Sequence, residues 1–165
     1  MRWYLIHCKP RQEKLALLNL ARQGYECYLP MLRQEKFRQE TLRAEDEPLF
    51  PRYLFIRLGE GERAKSWSPI RSTKGVSRLV CFGVEYANVD DALIEQLRAR
   101  EASIQAAPEP LFKPGERVRL VETPFSGIEG VYQMADGERR AMLLINILSK
   151  PVIVRVSPGS LRKAS

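Results

Sequence analysis

Glu47-Pro48-Leu49-Phe50-Pro51-Arg52-Tyr53-Leu54-Phe55-Ile56-Arg57-Leu58 is the stretch on which the fold turns. Its two prolines fix the entry, and neither suits a helix interior, because the ring removes a donor and clashes with the preceding turn. From Arg52 onward the residues alternate as a strand does. Leu54, Ile56 and Leu58 point one way and suit a core. Tyr53, Phe55 and Arg57 point the other way, and a face ending in a charge is expected to meet solvent or a partner.

Composition sets the frame. A chain of 165 residues holds one domain or two small ones. With 44% hydrophobic and 28% charged residues it is globular rather than disordered. A net charge of +7 and a pI near 9.5 call for an acidic partner, such as nucleic acid or an anionic surface. The apolar run Trp3-Tyr4-Leu5-Ile6 is too short for a signal peptide, and no stretch approaches a membrane span, so no membrane association is expected. Cys8, Cys27 and Cys81 are odd in number and lack metal spacing, which fits reduced thiols in a cytoplasmic protein.

Outward from the central stretch, Trp3 to Cys8 reads as a first strand. Between Pro10 and Gly24 a helix is expected, with Leu17, Leu18, Leu20 and Ala21 on its apolar face. Gln12, Asn19 and Gln23 fall opposite, with Arg22 beside them; amides and arginines are the side chains that read base edges. Tyr25 to Leu29 reads as a strand ended by Pro30. Leu32 to Glu47 is rich in helix formers yet lies between strand-like runs, so helix and exposed β-hairpin both stand. Arg71-Ser72-Thr73-Lys74-Gly75 is a basic, hydroxyl-bearing turn suited to phosphate oxygens. Val76, Leu79, Val80 and Phe82 suggest a further strand, and Asp90 caps a short helix carrying Leu93, Ile94 and Leu97. Residues 101–112, with Pro108 and Pro110, read as a linker between a domain at 1–100 and a small second domain at 113–165.

No enzyme constellation appears. Gly59-Glu60-Gly61-Glu62 lacks the Gly-Lys-Ser/Thr ending of a phosphate loop. The one histidine, His7, neighbours Cys8 on a strand, so the two side chains point to opposite faces. No acidic cluster has metal-site spacing, and neither cofactor nor metal is expected.

Trp3-Tyr4, Phe50-Pro51-Arg52-Tyr53-Leu54-Phe55 and a Pro-linked C-terminal segment resemble the NusG family of transcription elongation factors. Pro114-Gly115-Glu116-Arg117-Val118, Pro124-Phe125-Ser126-Gly127 and Gly130-Val131 are similar to that family's KOW motif. Glu47-Pro48-Leu49-Phe50-Pro51, Lys74-Gly75-Val76-Ser77, Phe82-Gly83, and Asp136-Gly137-Glu138 through Met142-Leu143-Leu144 with Asn146 resemble its specialised RfaH-like branch.

The resemblance implies an α+β fold: an N-terminal antiparallel sheet flanked by helices (NGN-like) and a C-terminal small β-barrel (KOW/SH3-like). A β-hairpin is implied for Leu32 to Glu47. It also implies a non-enzymatic monomer that binds the clamp helices of the largest RNA polymerase subunit and suppresses pausing. Phe50, Pro51, Tyr53 and Phe55 match that polymerase contact, with His7, Leu79 and Phe82 as neighbours. Recruitment through a non-template DNA strand would fall on Lys9, Arg11, Asn19, Arg22, Gln23, Thr73 and Lys74. Asn19 and Lys74 stand where a known member of the branch has histidine and arginine. The freed barrel is expected to reach the ribosome through its small-subunit protein S10.

The C-terminal segment supports two states. Val118–Val121, Gly130–Met134, Ala141–Leu148 and Val152–Val156 read as barrel strands. Alternatively, Thr123-Pro124 opens a first helix with Phe125, Ile128 and Tyr132 on one stripe, and Asp136 starts a second, ended by Pro151. The resemblance implies that such an α-hairpin masks the polymerase site, with Glu47 and Arg140 as its salt-bridge latch. Two rival functions stand beside the antitermination reading: a general NusG factor that also recruits Rho, and a KOW-type RNA-binding or ribosomal protein.

Overall fold

Strand β5 (Tyr53–Leu58) and strand β1 (Arg2–Cys8) form the middle of the main sheet. They run antiparallel with Tyr4 opposite Ile56, Leu5 opposite Phe55 and His7 opposite Tyr53. Strand β2 (Glu26–Tyr28) flanks β5, and β6 (Val76–Leu79) flanks β1. The computed structural model describes residues 1–59, 65–106 and 128–149. Because side chains alternate along each strand, the sheet has two apolar faces, and each is covered.

On one face Tyr4, Ile6, Cys8, Leu54, Ile56, Leu58, Val76 and Leu79 pack beneath helix α1 (Glu13–Arg22), which contributes Ala16 and Leu20. The helix lies where expected, but its buried stripe is Glu13, Ala16 and Leu20 with Leu17 partly covered, while Leu18 is 48% exposed and Ala21 is exposed. The expected Leu18–Ala21 face is thus corrected by about a quarter turn. The reason is Glu13: its Oε2 accepts the Arg52 backbone N–H at 3.1 Å, so a carboxylate sits in the inward stripe. Arg52 itself has φ +75°, a left-handed conformation unusual for any residue with a Cβ.

Residues 31–48 resolve into the β-hairpin. Strands β3 (Met31–Arg38) and β4 (Thr41–Pro48) pair continuously from Met31–Pro48 to Arg38–Thr41. Strand pairing therefore overrides the helix propensity of the segment. The two-residue connection, Gln39-Glu40, has φ +52° and +63°, the sign required of a tight hairpin turn that matches strand twist. Neither residue favours that region, which costs about 1–2 kcal/mol per residue outside glycine and asparagine. Gln39→Asn combined with Glu40→Gly is accordingly expected to raise the melting temperature and slow amide exchange at Arg38 and Thr41. Unchanged exchange would show the turn to be unstrained.

Two short strands, β7 (Cys81–Phe82) and β8 (Glu85–Tyr86), form a separate small hairpin, and β9 (Asn88–Val89) returns to pair with β1. Helix α2 (Asp91–Ala106) follows, with Asp90 Oδ1 accepting the Ala92 N–H at 2.9 Å. It runs further than the expected short helix, so residues 101–106 belong to it and not to a linker. Glu101 explains the extension: its carboxylate accepts the Tyr28 hydroxyl at 3.1 Å and the Met31 N–H at 2.9 Å. Arg98 stacks over both Trp3 and Tyr28.

Of the two readings of the C-terminal segment, the described part adopts the helical one. Helices α3 (Ile128–Val131) and α4 (Gly137–Ser149) replace the barrel strands expected at Gly130–Met134 and Ala141–Leu148. Asp136 opens α4 as expected, its Oδ1 accepting the Glu138 N–H at 3.0 Å. Val118–Val121, Val152–Val156, Thr123-Pro124, Phe125 and Pro151 lie outside the described residues. Ile128, Val131, Ala141 and Leu144 join Trp3, Leu5, Leu32, Leu49, Phe50, Phe55, Leu93, Ile94 and Leu97 in one core. The architecture is therefore three layers: α1, the sheet, then α2 with α3 and α4.

Candidate functional site

The second face of β5 is the first candidate site. Phe50 and Phe55 are both 0% exposed, meeting edge to face with ring centres 6.3 Å apart. Tyr28 stacks on Phe55 from the other side, also at 6.3 Å. Tyr53 is half-buried against this core and lines an open groove with Ala141, Met142, Ile145 and Asn146 of α4. His7 lies on the same face, its ring centre 5.1 Å from that of Tyr53. Burial, then the charges of Arg52 and Arg78, hold the His7 imidazole below its ordinary pKa. Phe82 packs at the margin of this core and Pro51 is half-buried. Of the two aromatics on this face, Phe55 is covered by the chain's own helices, while Tyr53 stays half-buried. Leu79, paired with Ile6, packs on the α1 face, away from the aromatics.

Arg140 ties α4 to the end of β4. It is fully buried, and its Nη2 lies 3.2 Å from Glu47 Oε1. Its Nε donates to Leu49 O at 2.8 Å, and its Nη1 donates to Met134 O at 2.8 Å and Ala135 O at 3.0 Å. Lys36 Nζ holds the other Glu47 oxygen at 3.0 Å. Burial pulls the Arg140 pKa down, and Glu47 opposes the shift. Glu47 and Arg140 thus meet across 93 positions of sequence, and the backbone carbonyls complete a site for one guanidinium. A second bridge, which no sequence signal marked, joins Arg100 of α2 to Glu129 of α3 at 2.9 Å, with the guanidinium 4.7 Å above the Tyr132 ring.

The second candidate surface lies at the end of α1. Asn19 Nδ2 donates to Lys74 O at 3.2 Å, while Gln23 Nε2 donates to Thr73 Oγ1 at 2.8 Å and to Asn19 O at 3.3 Å. The amide face of the helix and the basic turn therefore meet. Among the described residues the side-chain oxygens of Asn19 and Gln23 accept no hydrogen bond, leaving acceptors of the kind that recognise base amino groups. Thr73 is placed differently from expectation. It is buried, and its hydroxyl donates to Pro69 O at 2.9 Å, so it braces the turn. Lys9, Arg11, Arg22 and Lys74 are exposed at the rim.

Gly75 sets how closely the turn approaches the helix. With φ +96°, a Cβ there would sit 2.7 Å from Ala16 N and 2.9 Å from Ala16 Cα. Gly75→Ala is expected to push the turn off α1 and lower stability by about 1–3 kcal/mol, the range of overpacking changes. Thermal melting checks the stability, and loss of protection at the Thr73 and Val76 amides checks the location.

Elsewhere, burial pushes the Cys8 and Cys27 thiols up to about 12, which suits inert structural cysteines. Among the described residues no group of histidine, cysteine, aspartate or glutamate gathers as a metal site, and no helix is long and apolar enough to cross a membrane.

The sheet thus carries an aromatic face under α3 and α4, and an amide- and cation-bearing surface beside α1 on its other face. The family described as NusG, transcription termination factor nusG, matches residues 1–98. The transcription termination/antitermination protein NusG of Pseudomonas aeruginosa is 25% identical, with 94% of this chain and 96% of that protein aligned. The corresponding NusG proteins of Thermus thermophilus and Escherichia coli K12 are each 23% identical, aligning 98% and 99% of this chain and 98% and 96% of their own lengths. The chain belongs to the NusG family, whose members are transcription factors and not enzymes.

Proposed function

We propose that the chain is an elongation and antitermination factor of the specialised RfaH-like kind. Phe50, Pro51, Tyr53 and Phe55, with His7 and Phe82, form the contact for the clamp helices of the largest RNA polymerase subunit, and occupancy there suppresses pausing. Aromatic side chains suit such a contact because they bury large area with few rotors to immobilise. Asn19 and Gln23, rimmed by Lys9, Arg11, Arg22 and Lys74, read a non-template DNA element. The observation that carries this reading is the seating of Arg140 against Glu47. It supports a resting state in which α4 covers the polymerase contact until recruitment releases it. The released C-terminal segment refolds as a barrel and couples to the ribosome through small-subunit protein S10. The factor acts as a cytoplasmic monomer.

A second reading, a general factor that also recruits Rho, draws support from the termination/antitermination names of the relatives. The test is a pause assay with purified polymerase on templates with and without a candidate non-template hairpin. Pause suppression only where the hairpin is present is expected. Equal suppression on both templates would favour the general factor. No suppression on either, with polymerase binding intact in Tyr53→Ala/Phe55→Ala, would sink both readings.

A further inference from the structure

Around the end of the sheet, between the aromatic face and the amide surface, lies a row of cations, two of which, Arg52 and Arg78, belong to neither site. Tyr53, His7 and Arg78 stand abreast on β5, β1 and β6, so their side chains share a face. Arg52 precedes Tyr53, and Lys9 and Arg11 follow the end of β1. All four cations are exposed, and among the described residues no carboxylate forms an ion pair with any of them. The charges of Arg52 and Arg78 both reach the His7 ring.

Arg52 is also held in an unusual posture. At φ +75° it occupies a region that favours glycine. Three hydrogen bonds keep it there: its N–H donates to Glu13 Oε2 at 3.1 Å, its carbonyl accepts from Cys8 N at 2.7 Å, and its Nε donates to Cys8 O at 3.3 Å. The Glu13 carboxylate is buried and committed to the Arg52 backbone. Among the described residues the terminal guanidinium nitrogens of this exposed side chain have no hydrogen-bond or ion-pair partner. Backbone strain of this kind collects at recognition sites.

We infer that Arg52 and Arg78, with Lys9 and Arg11, form a phosphate track that carries a single DNA strand from the amide surface around the sheet end toward Tyr53. The inference rests on the proposed DNA reading and extends it to residues outside that surface. A nucleic acid strand fits better than an acidic peptide for two reasons. Cations spread along an edge match the repeating charge of a phosphate backbone. The row is also continuous with the basic turn, because the Lys9 N–H donates to Gly75 O at 2.8 Å and Lys74 lies next to Gly75.

The test is fluorescence anisotropy of a labelled, mixed-sequence single-stranded DNA oligonucleotide with the full chain across a salt series. For single strands each neutralised phosphate adds about 0.7 to the steepness of log affinity against log salt. Arg52→Gly/Arg78→Gln is expected to flatten that slope by about 1.4. Arg52→Gly alone is expected to keep or raise the melting temperature, since glycine suits the backbone, while still flattening the slope; a residue of merely structural importance would not separate the two. Lys74→Gln serves as the reference within the proposed DNA surface. An unchanged slope in the double variant, with a flatter one in Lys74→Gln, would overturn the track and leave the DNA surface standing. An unchanged slope in both would remove the DNA reading and the track together. An unchanged slope with weakened polymerase capture in the double variant would reassign the row to an acidic protein partner and overturn the inference.

Discussion

Arg140→Ala is expected to release α4 from the sheet. The substitution leaves Glu47 without its buried partner and strands the carbonyls of Leu49, Met134 and Ala135, which now share one guanidinium. Removing one member of a buried charged pair costs about 3–5 kcal/mol. At about 1.4 kcal/mol per decade, the docking equilibrium shifts by roughly two orders of magnitude or more. Hydrogen exchange across residues 138–148 reads this directly, with protection absent in the variant and retained in the wild type. Arg139→Ala is the control. Its side chain is 76% exposed and reaches Asp136 only at 3.9 Å, so little change is expected. Under the proposed function, Arg140→Ala also captures polymerase without a DNA element. Protection equal to wild type would show that the latch does not hold the helix.

The second large effect separates the two uses of the aromatic face. Leu144 is fully buried and contributes to the shared core from α4, so Leu144→Ala weakens docking by about 2–5 kcal/mol and leaves the sheet intact. Phe55 is fully buried from the sheet side, and Phe55→Ala lowers stability by about 3–5 kcal/mol. The two are expected to move polymerase capture in opposite directions. Leu144→Ala uncovers an intact contact and strengthens capture, whereas Phe55→Ala removes part of the contact itself and weakens it. Chemical denaturation ranks the stability losses, and a pull-down with purified polymerase gives the sign. Weaker capture in both variants would mean that the helices and the polymerase do not compete for one face.

How much of the fold and the site is legible in the chain differs from element to element. The two-sidedness of β5 is fully legible, because alternation is a local property of the strand. Asn19, Gln23 and the turn at 71–75 are legible only as two separate polar features until the family resemblance brings them together. Periodicity misplaces the buried stripe of α1, because Glu13 counts as a surface residue until the Arg52 N–H is brought to it. Helix α2 outruns its sequence-predicted end, since the bonds that Glu101 accepts from Tyr28 and Met31 span 73 and 70 positions of chain. Arg100 and Glu129 carry no sequence signal, being ordinary charges on segments that only the fold makes adjacent.

By itself, then, the sequence determined where β5 runs, which of its faces is aliphatic, that residues 31–48 allow a hairpin, and that the basic and amide-bearing residues lie near the first helix. These follow from periodicity and from turn chemistry, which depend on neighbours along the chain. Tertiary structure decided the rest. The run Ala141–Leu148 is apolar at every position but Asn146, so local pattern leaves it undecided between strand and helix. It is helical here because the helical period puts Arg140, Ala141 and Leu144 on one side, seating a guanidinium at Glu47 and burying the others in the core shared with Phe50 and Phe55. An aromatic face in water binds whatever apolar surface reaches it first, and in this structure the chain supplies that surface itself.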